Sequence, residues 1–236
     1  MDFARFDVRH YPTVAVQDGY REWASTYEAV VQDEMDLRLL ERVTTVVWHE
    51  ARRAIDLACG TGRIGNWLRM RGVARIDGVD LTPEMLAQAK DKGIYDRLLR
   101  GDMRRTGQEA AAYDLAIEVL ADEHISALPP LYQEAARLTV PGARFVIVGY
   151  HPYFLLDGIP THFHRADGSA LAIESHVHLM SDHVQAALAS GWTLLEMAEG
   201  LVDDAWLERK PKWRRHAGRP VSFVMVWART GSPAGQ

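Results

Sequence analysis

Apolar runs of strand length alternate with segments of helical spacing over the first two thirds of the chain. The runs predicted as strands are residues 54–57, 75–80, 95–100, 113–120 and 140–149. Helices are predicted between them, starting at Ile64, Thr82 and Pro130, and residues 19–48 contain one or two amphipathic helices before the first strand. This order predicts a doubly wound, mostly parallel α/β sheet that binds ligands beyond the carboxyl ends of its strands.

The pattern changes after residue 150. A turn signal at Asp167-Gly168 separates two runs that can pair, residues 161–165 and 171–179, and this predicts an inserted hairpin. A helix over residues 181–190 and strands over 192–198 and 220–229 are predicted to follow.

Composition excludes several classes of protein. A net charge of −5 over 236 residues argues against a general nucleic-acid surface, which needs a concentrated basic patch. A single cysteine, Cys59, excludes a disulfide framework and a zinc site built from thiolates. Neither a signal peptide nor a membrane-spanning run is recognisable, so we expect a soluble cytoplasmic protein that acts on a small molecule.

The glycine turn after the first predicted strand is the strongest sign of a ligand. Gly60-x-Gly62-x-x-Gly65 satisfies the dinucleotide-binding pattern, in which a pyrophosphate lies on a helix N-terminus. Asp56, however, lies four positions before Gly60, and a carboxylate there suits a cationic ligand better than a pyrophosphate.

Three segments resemble class I S-adenosylmethionine-dependent methyltransferases. Residues 54–68 resemble motif I, whose strand ends in an acid followed by x-x-x-Gly-x-Gly, with Ala58 where many members have glycine. Residues 20–27 read Tyr-x-x-Trp-Ala-x-x-Tyr, which is similar to the opening of many small-molecule methyltransferases. Pro141-Gly142 resembles the turn that leads into the family's fifth strand. The resemblance implies seven strands, the last inserted antiparallel.

The resemblance also implies a division of the chain into parts. We expect a single methyltransferase domain over residues 1–236. Its parts would be N-terminal cap helices (1–50), a cofactor-binding core (51–149), a lid insertion (150–180), and a C-terminal helix with strands six and seven (181–236).

Site residues follow from the same resemblance. In the family, the positions of Asp56, Gly60 and Gly62 hold the methionine end of S-adenosylmethionine. The position of Asp80 holds the ribose hydroxyls, and an acid at the position of Asp102 binds the adenine. The full set of expected cofactor-binding residues is Tyr20, Tyr27, Asp56, Ala58, Gly60, Gly62, Asp80, Leu81, Asp102, Met103 and Glu118. For Tyr20 and Tyr27, an aromatic helix face packed on the core is an equal alternative.

Histidines supply the candidate bases. His124 follows the fourth predicted strand and His151 follows the fifth, so each could take a proton from a methyl acceptor, although a strongly nucleophilic acceptor would need no base. No metal is expected. Two strand-spaced pairs could nevertheless meet as a metal site, line a substrate pocket or form a polar lid face, and they are His162 with His164 and His176 with His178.

A basic segment precedes the last predicted strand. It contains Arg209, Lys210, Lys212, Arg214, Arg215 and Arg219. This segment is either a solvated loop or a contact for an anionic group or RNA.

The function expected from the resemblance is methyl transfer from S-adenosylmethionine to an oxygen or nitrogen of a small molecule, in secondary metabolism. Two alternatives remain open. An NAD(P)-dependent oxidoreductase would use the same glycine turn, although no Tyr-x-x-x-Lys pair is recognisable. A non-catalytic protein could keep the nucleotide pocket as a scaffold.

Overall fold

The computed structural model describes residues 1–31 and 35–230, which contain nine α-helices and ten β-strands. The helices are α1 (Val16–Trp23), α2 (Tyr27–Val30), α3 (Met35–Leu40), α4 (Arg63–Met70), α5 (Pro83–Asp91), α6 (Pro129–Leu138), α7 (Pro152–Leu156), α8 (Met180–Ala189) and α9 (Asp204–Arg209). The strands are β1 (Thr13–Val14), β2 (Ala54–Leu57), β3 (Ile76–Asp80), β4 (Arg97–Arg100), β5 (Tyr113–Val119), β6 (Thr139–Tyr150), β7 (His162–His164), β8 (Ala170–Ile173), β9 (Trp192–Leu201) and β10 (Pro220–Arg229).

Seven of these strands form one twisted sheet in the order β4-β3-β2-β5-β6-β10-β9. The five strands from β4 to β6 run parallel, and β10 pairs antiparallel with both β6 and β9. The predicted fold is confirmed, including the antiparallel insertion of the last strand.

Helices cover both faces of this sheet, because alternate strand residues point to opposite sides. In β2, Ile55 and Leu57 enter the apolar layer that contains α6 and α8. Ala54 enters the opposite layer, where Trp67 and Leu68 of α4 pack. Within the described residues, no helix is both long and apolar enough to cross a membrane.

A second, three-stranded sheet combines the N-terminus with the insertion, in the order β1-β8-β7. The predicted hairpin forms, with His162 opposite Ala172, but its second arm is shorter than expected and ends at Ile173. Beyond it, the amide of His176 donates to the carbonyl of Glu123 and that of Val177 donates to Met1. These bonds take the chain out of the hairpin, so the predicted strand 171–179 is only partly correct.

The segment before β2 contains three short helices instead of one or two longer ones, and its residues 32–34 lie outside the described part of the chain. Helix α3 ends at Leu40. A few residues later, the amides of Thr44 and Thr45 donate to the carboxylate of Glu196 on β9 rather than to helical carbonyls. Contact with a distant strand therefore overrides the helical spacing of residues 41–48.

Candidate active site

The glycine turn and the end of β3 are held together by one carboxylate. The backbone adopts positive φ at Ala58, Gly60 and Gly62, which lets the chain reverse between β2 and α4. Asp80 accepts the amide of Gly60 at 2.8 Å on one oxygen and the amide of Thr82 at 2.8 Å on the other. The acid therefore fixes the turn and still faces the cavity beside it.

A cavity of about 430 Å³ opens at this edge of the sheet, within the size range of small-molecule sites. Its wall contains eight of the eleven predicted cofactor-binding residues and one of the two predicted bases. They are Tyr20, Tyr27, Ala58, Gly60, Asp80, Leu81, Asp102, Met103 and His124. Their association in one cavity is a tertiary result, since they come from α1, α2, the last residue of β3 and four different loops.

Polar and apolar groups both line this first cavity. Asp80 is hydrogen-bonded to the glycine turn, while Leu81 and Met103 supply apolar surface. Asp102 also lines the cavity, and Arg104 donates to both of its carboxylate oxygens. The hydrogen bonds from Arg104 hold the pKa of Asp102 below its usual range, so Asp102 presents an anion that is already paired.

A second cavity of about 270 Å³ adjoins the first. Tyr20, Tyr27 and Leu120 line both cavities and form the wall between them. Most of the second cavity is aromatic or aliphatic. Its polar residues are Thr26, Glu123, Thr161, His162, His164, Lys210 and Lys212.

Tyr20 of the shared wall is hydrogen-bonded to His124, which lines the first cavity. His124 has its Nδ1 2.8 Å from the carbonyl oxygen of Glu174 and its Nε2 2.8 Å from the hydroxyl of Tyr20. Because a carbonyl only accepts, Nδ1 carries the proton and Nε2 accepts from Tyr20. Burial lowers the pKa of His124 to about 4, so the ring is neutral at pH 7.

This neutral histidine should make folding stability depend on pH. The unfolded chain binds a proton at His124 near pH 6.5, but the folded protein does so only near pH 4. The neutral state of His124 therefore contributes about 3 kcal/mol to the free energy of unfolding. This contribution is complete above pH 6.5 and is lost as the pH falls to 4.

Urea unfolding at pH 7.5 and pH 4.5 measures this effect. Between these two pH values, the parent protein should lose about 3 kcal/mol more of its free energy of unfolding than the His124→Gln variant. Equal losses in the two proteins would contradict the buried, neutral state of His124.

Three predicted cofactor-binding residues lie outside the wall of the first cavity. They are Asp56, Gly62 and Glu118. Asp56 instead accepts a hydrogen bond from the Tyr95 hydroxyl at 2.6 Å, and burial raises its pKa to about 7. Glu118 is fully buried and accepts the amide of Ala121. Asp56 and Glu118 therefore hold the loops that form the site instead of lining it.

The third glycine of the turn has a packing role. A Cβ on Gly65 would lie 2.3 Å from the Tyr95 ring, and one on Gly78 would lie 2.9 Å from it. Tyr95 thus occupies the space between α4 and β3. Close approach of this ring accounts for Gly65 as a packing residue between α4 and β3, which is also the role of the third glycine in the dinucleotide pattern.

His151 is not brought to either cavity. Its Nδ1 accepts the amide of Tyr153 at the start of α7, and its Nε2 lies 3.1 Å from a carboxylate oxygen of Glu199. It therefore caps a helix, and its position does not support the predicted role as a base.

The four insertion histidines separate into different surroundings. His162 and His164 line the second cavity, and His176 lines the first. His178 is buried, with Nε2 2.8 Å from the carbonyl oxygen of Ile125. Among the described residues, no group of three or more His, Cys, Asp or Glu side chains is placed to hold a metal ion. The early end of β8 is the reason that the two pairs do not meet.

Sequence reasoning missed Glu123, a buried acid in the wall of the second cavity. It lies in the short turn Asp122–His124 directly after β5. Of this turn, only the histidine, His124, is predicted from the sequence as a candidate base. The position of this acid, directly after a central strand, was the sequence signal that could have identified it.

Comparison with known proteins agrees with this geometry. Residues 55–147, which include β2, α4, β3 and β5, match the family described as a methyltransferase domain. The matched residues form the parallel part of the seven-stranded sheet, and the cavities lie at the carboxyl edge of these strands. The chain has the fold of the class I S-adenosylmethionine-dependent methyltransferases, and residues 55–147 carry the sequence match to a methyltransferase domain.

Relatives within this methyltransferase family are distant. A malonyl-[acyl-carrier protein] O-methyltransferase from Pectobacterium atrosepticum is 29% identical over 135 residues, covering 56% of this chain and 52% of that protein. A trans-aconitate 2-methyltransferase from Mycobacterium tuberculosis is 40% identical over 65 residues, covering 27% and 24%. The chain thus spans about half the length, or less, of these curated relatives.

Solved methyltransferase structures share the fold over most of the chain. An S-adenosylmethionine-dependent methyltransferase from Mesorhizobium loti superposes with a TM-score of 0.67 at 21% identity, covering 84% of this chain and 99% of that one. The complex of DhpI with SAH superposes with a TM-score of 0.65 at 19% identity, covering 92% and 95%.

The residues of the first cavity fit S-adenosylmethionine, the cofactor of this methyltransferase family. Asp80 is a buried acid aimed at the cavity, as a ribose diol requires. A Cβ built on Gly60 would meet nothing within 4 Å, so the turn leaves open space beside the carboxylate. Leu81 and Met103 provide apolar surface of the kind that an adenine ring needs.

Proposed function

We propose that the protein transfers the methyl group of S-adenosylmethionine to an oxygen or nitrogen of a small molecule bound in the second cavity. The observation that carries the proposal is the junction of two cavities of different character. One has a buried acid beside a glycine turn, the other is mainly aromatic, and among the described residues Tyr20, Tyr27 and Leu120 line both.

When bound, the cofactor supplies an activated methyl group on a sulfonium. The protein's task is then to align the acceptor and to exclude water. Tyr20 is partly buried, its hydroxyl is hydrogen-bonded to His124, and its ring stacks on Trp23. Across the second cavity, Phe154 stacks on Trp213 with ring centroids 5.2 Å apart. Rigid aromatic walls of this kind hold a flat or apolar acceptor in one orientation.

The basic segment favours a second class of acceptor, an acyl group tethered to a carrier protein through a phosphate-bearing arm. Lys210 and Lys212 line the second cavity, and Arg214 and Arg215 are exposed nearby in the same segment. Exposed cations at a cavity mouth suit an anionic arm. The O-methyltransferase relatives named for malonyl-[acyl-carrier protein] have an acceptor of this type.

One experiment tests the cofactor and both acceptor classes. Calorimetry should give micromolar binding of S-adenosylhomocysteine and none of NAD or NADH. Radiolabelled S-adenosylmethionine is then offered with phenol, catechol, benzylamine, benzoate and malonyl-phosphopantetheine. Labelling of only the last would favour the tethered acceptor. Binding of NADH would favour an oxidoreductase, and cofactor binding without labelling of a wide panel would favour the scaffold.

We further propose a single methyltransferase domain over residues 1–236, a cytoplasmic location, a role in secondary metabolism and no nucleic-acid partner.

A further inference from the structure

Glu123 is the one acid in the wall of the second cavity among the described residues. Its side chain is 1% exposed. One carboxyl oxygen accepts the hydroxyl of Thr161 at 3.2 Å and lies 3.5 Å from Nε2 of His124. The other oxygen, Oε2, has no hydrogen-bond partner within the described part of the chain. Because an unpaired buried carboxyl oxygen is costly, a group that enters the cavity is its natural partner.

The histidines nearby are less suited to receive a proton. His124 uses Nδ1 as a donor to Glu174 and Nε2 as an acceptor from Tyr20, so neither nitrogen is free for an acceptor molecule. His151 lies outside both cavities. Glu123 has the free oxygen that both histidines lack, and it adjoins the Tyr20–His124 pair at the shared wall.

We propose that Glu123 is the general base of the reaction, an inference that rests on the function proposed above. As the acceptor oxygen or nitrogen bonds to the methyl carbon, the carbon–sulfur bond breaks and its electron pair stays on sulfur. The proton of the acceptor goes to Oε2 of Glu123. A carboxylate and a sulfonium thus become a neutral carboxylic acid and a neutral thioether, and no other reactant is needed.

The surroundings of Glu123 suit a base. Burial, followed by the charge of Asp122, raises its pKa to about 8, close to a working pH. The titratable groups that face it are Glu118, Asp122, His124, Tyr20, Tyr27 and Tyr150. Lys210 and Lys212 line the same cavity and oppose the effect of the acids. A sulfonium bound next to this wall would favour the charged form of Glu123.

The first test needs no acceptor and compares a cationic ligand with a neutral one. The affinities of S-adenosylmethionine and S-adenosylhomocysteine are measured by calorimetry between pH 6 and pH 9. In the parent protein, the ratio of the two affinities should rise roughly tenfold as Glu123 loses its proton. The Glu123→Gln variant should bind S-adenosylhomocysteine normally and lose the rise centred near pH 8. Asp56, with a pKa of about 7, would account for any earlier rise.

The second test is turnover of the acceptors named above. On phenol, catechol or benzylamine, Glu123→Gln should lower kcat by about 10²- to 10⁴-fold with little change in the KM for S-adenosylmethionine. Benzoate has no proton to lose, so its methylation should be far less affected. Glu199→Gln, which removes a glutamate outside both cavities, is the matched control and should behave as the parent protein.

The outcomes separate this inference from the function on which it rests. If neither adenosyl ligand binds, the proposed methyltransferase function fails and the base fails with it. If both bind and Glu123→Gln keeps the parent's rise near pH 8, the function stands and Glu123 is not the base. If no acceptor is turned over, the ratio of the affinities for S-adenosylmethionine and S-adenosylhomocysteine alone decides whether Glu123 is kept as the base.

Discussion

Replacing Asp80 with alanine should weaken the binding of S-adenosylhomocysteine by about 100- to 1,000-fold, or about 3–4 kcal/mol. The carboxylate accepts the amides of Gly60 and Thr82, so its loss releases the glycine turn and leaves two amides without their partner. The same oxygens are those expected to accept the ribose hydroxyls. Hydrogen bonds to a charged group contribute about 1.5–3 kcal/mol each, so losing two or more gives this magnitude.

Calorimetry at pH 7.5 measures the change, with two further variants as controls. Asp80→Asn keeps an acceptor oxygen for one amide and should lose less affinity. Asp102→Ala should cost tenfold or less, because Arg104 already pairs with that carboxylate and the site is partly exposed. Equal losses for Asp80→Ala and Asp102→Ala would argue against a ribose-binding role for Asp80.

Replacing Arg63 with methionine should lower the free energy of unfolding by about 3–5 kcal/mol. Asp36 on α3 is completely buried, and Arg63, the first residue of α4, donates to both of its carboxylate oxygens. The third contact of Asp36 is the amide of Leu37. Without the guanidinium, the buried carboxylate loses its ion-pair partner, and α3 loses this hydrogen-bonded contact with the helix that follows the glycine turn.

The double variant Asp36→Leu/Arg63→Met provides the control. An apolar pair removes the stranded charge, so the double variant should recover at least half of the loss seen for Arg63→Met in urea unfolding. If the two substitutions are instead additive, the pair does not act as a unit.

The sequence determined the parts of this protein that depend on neighbouring residues. The alternation of apolar runs with helical spacing predicted the doubly wound sheet, and the glycine turn with Asp80 located the carboxyl edge where the first cavity opens. These predictions held because strand period, glycine conformation and helix starts are local properties.

Only the tertiary structure decided which side chains reach the ligand. Asp56 is the next-to-last residue of β2, yet alternation along the strand turns it toward Tyr95, a residue 39 positions away. His151 follows β6 as expected, but contact with Glu199 directs it away from the cavities. Spacing along the sequence does not encode such choices, since each depends on what a distant segment packs against that position.

Packing against distant segments also decides which of His124 and Glu123 can accept a proton. Both are adjacent in the turn after β5, and the sequence favoured the histidine for its reference pKa. In the folded protein, partners from α1 and the insertion occupy both nitrogens of His124, whereas burial leaves one oxygen of Glu123 unpaired. The sequence thus determined the fold and the edge that carries the site. Long-range packing determined which acid lines the cofactor cavity and which group can accept a proton.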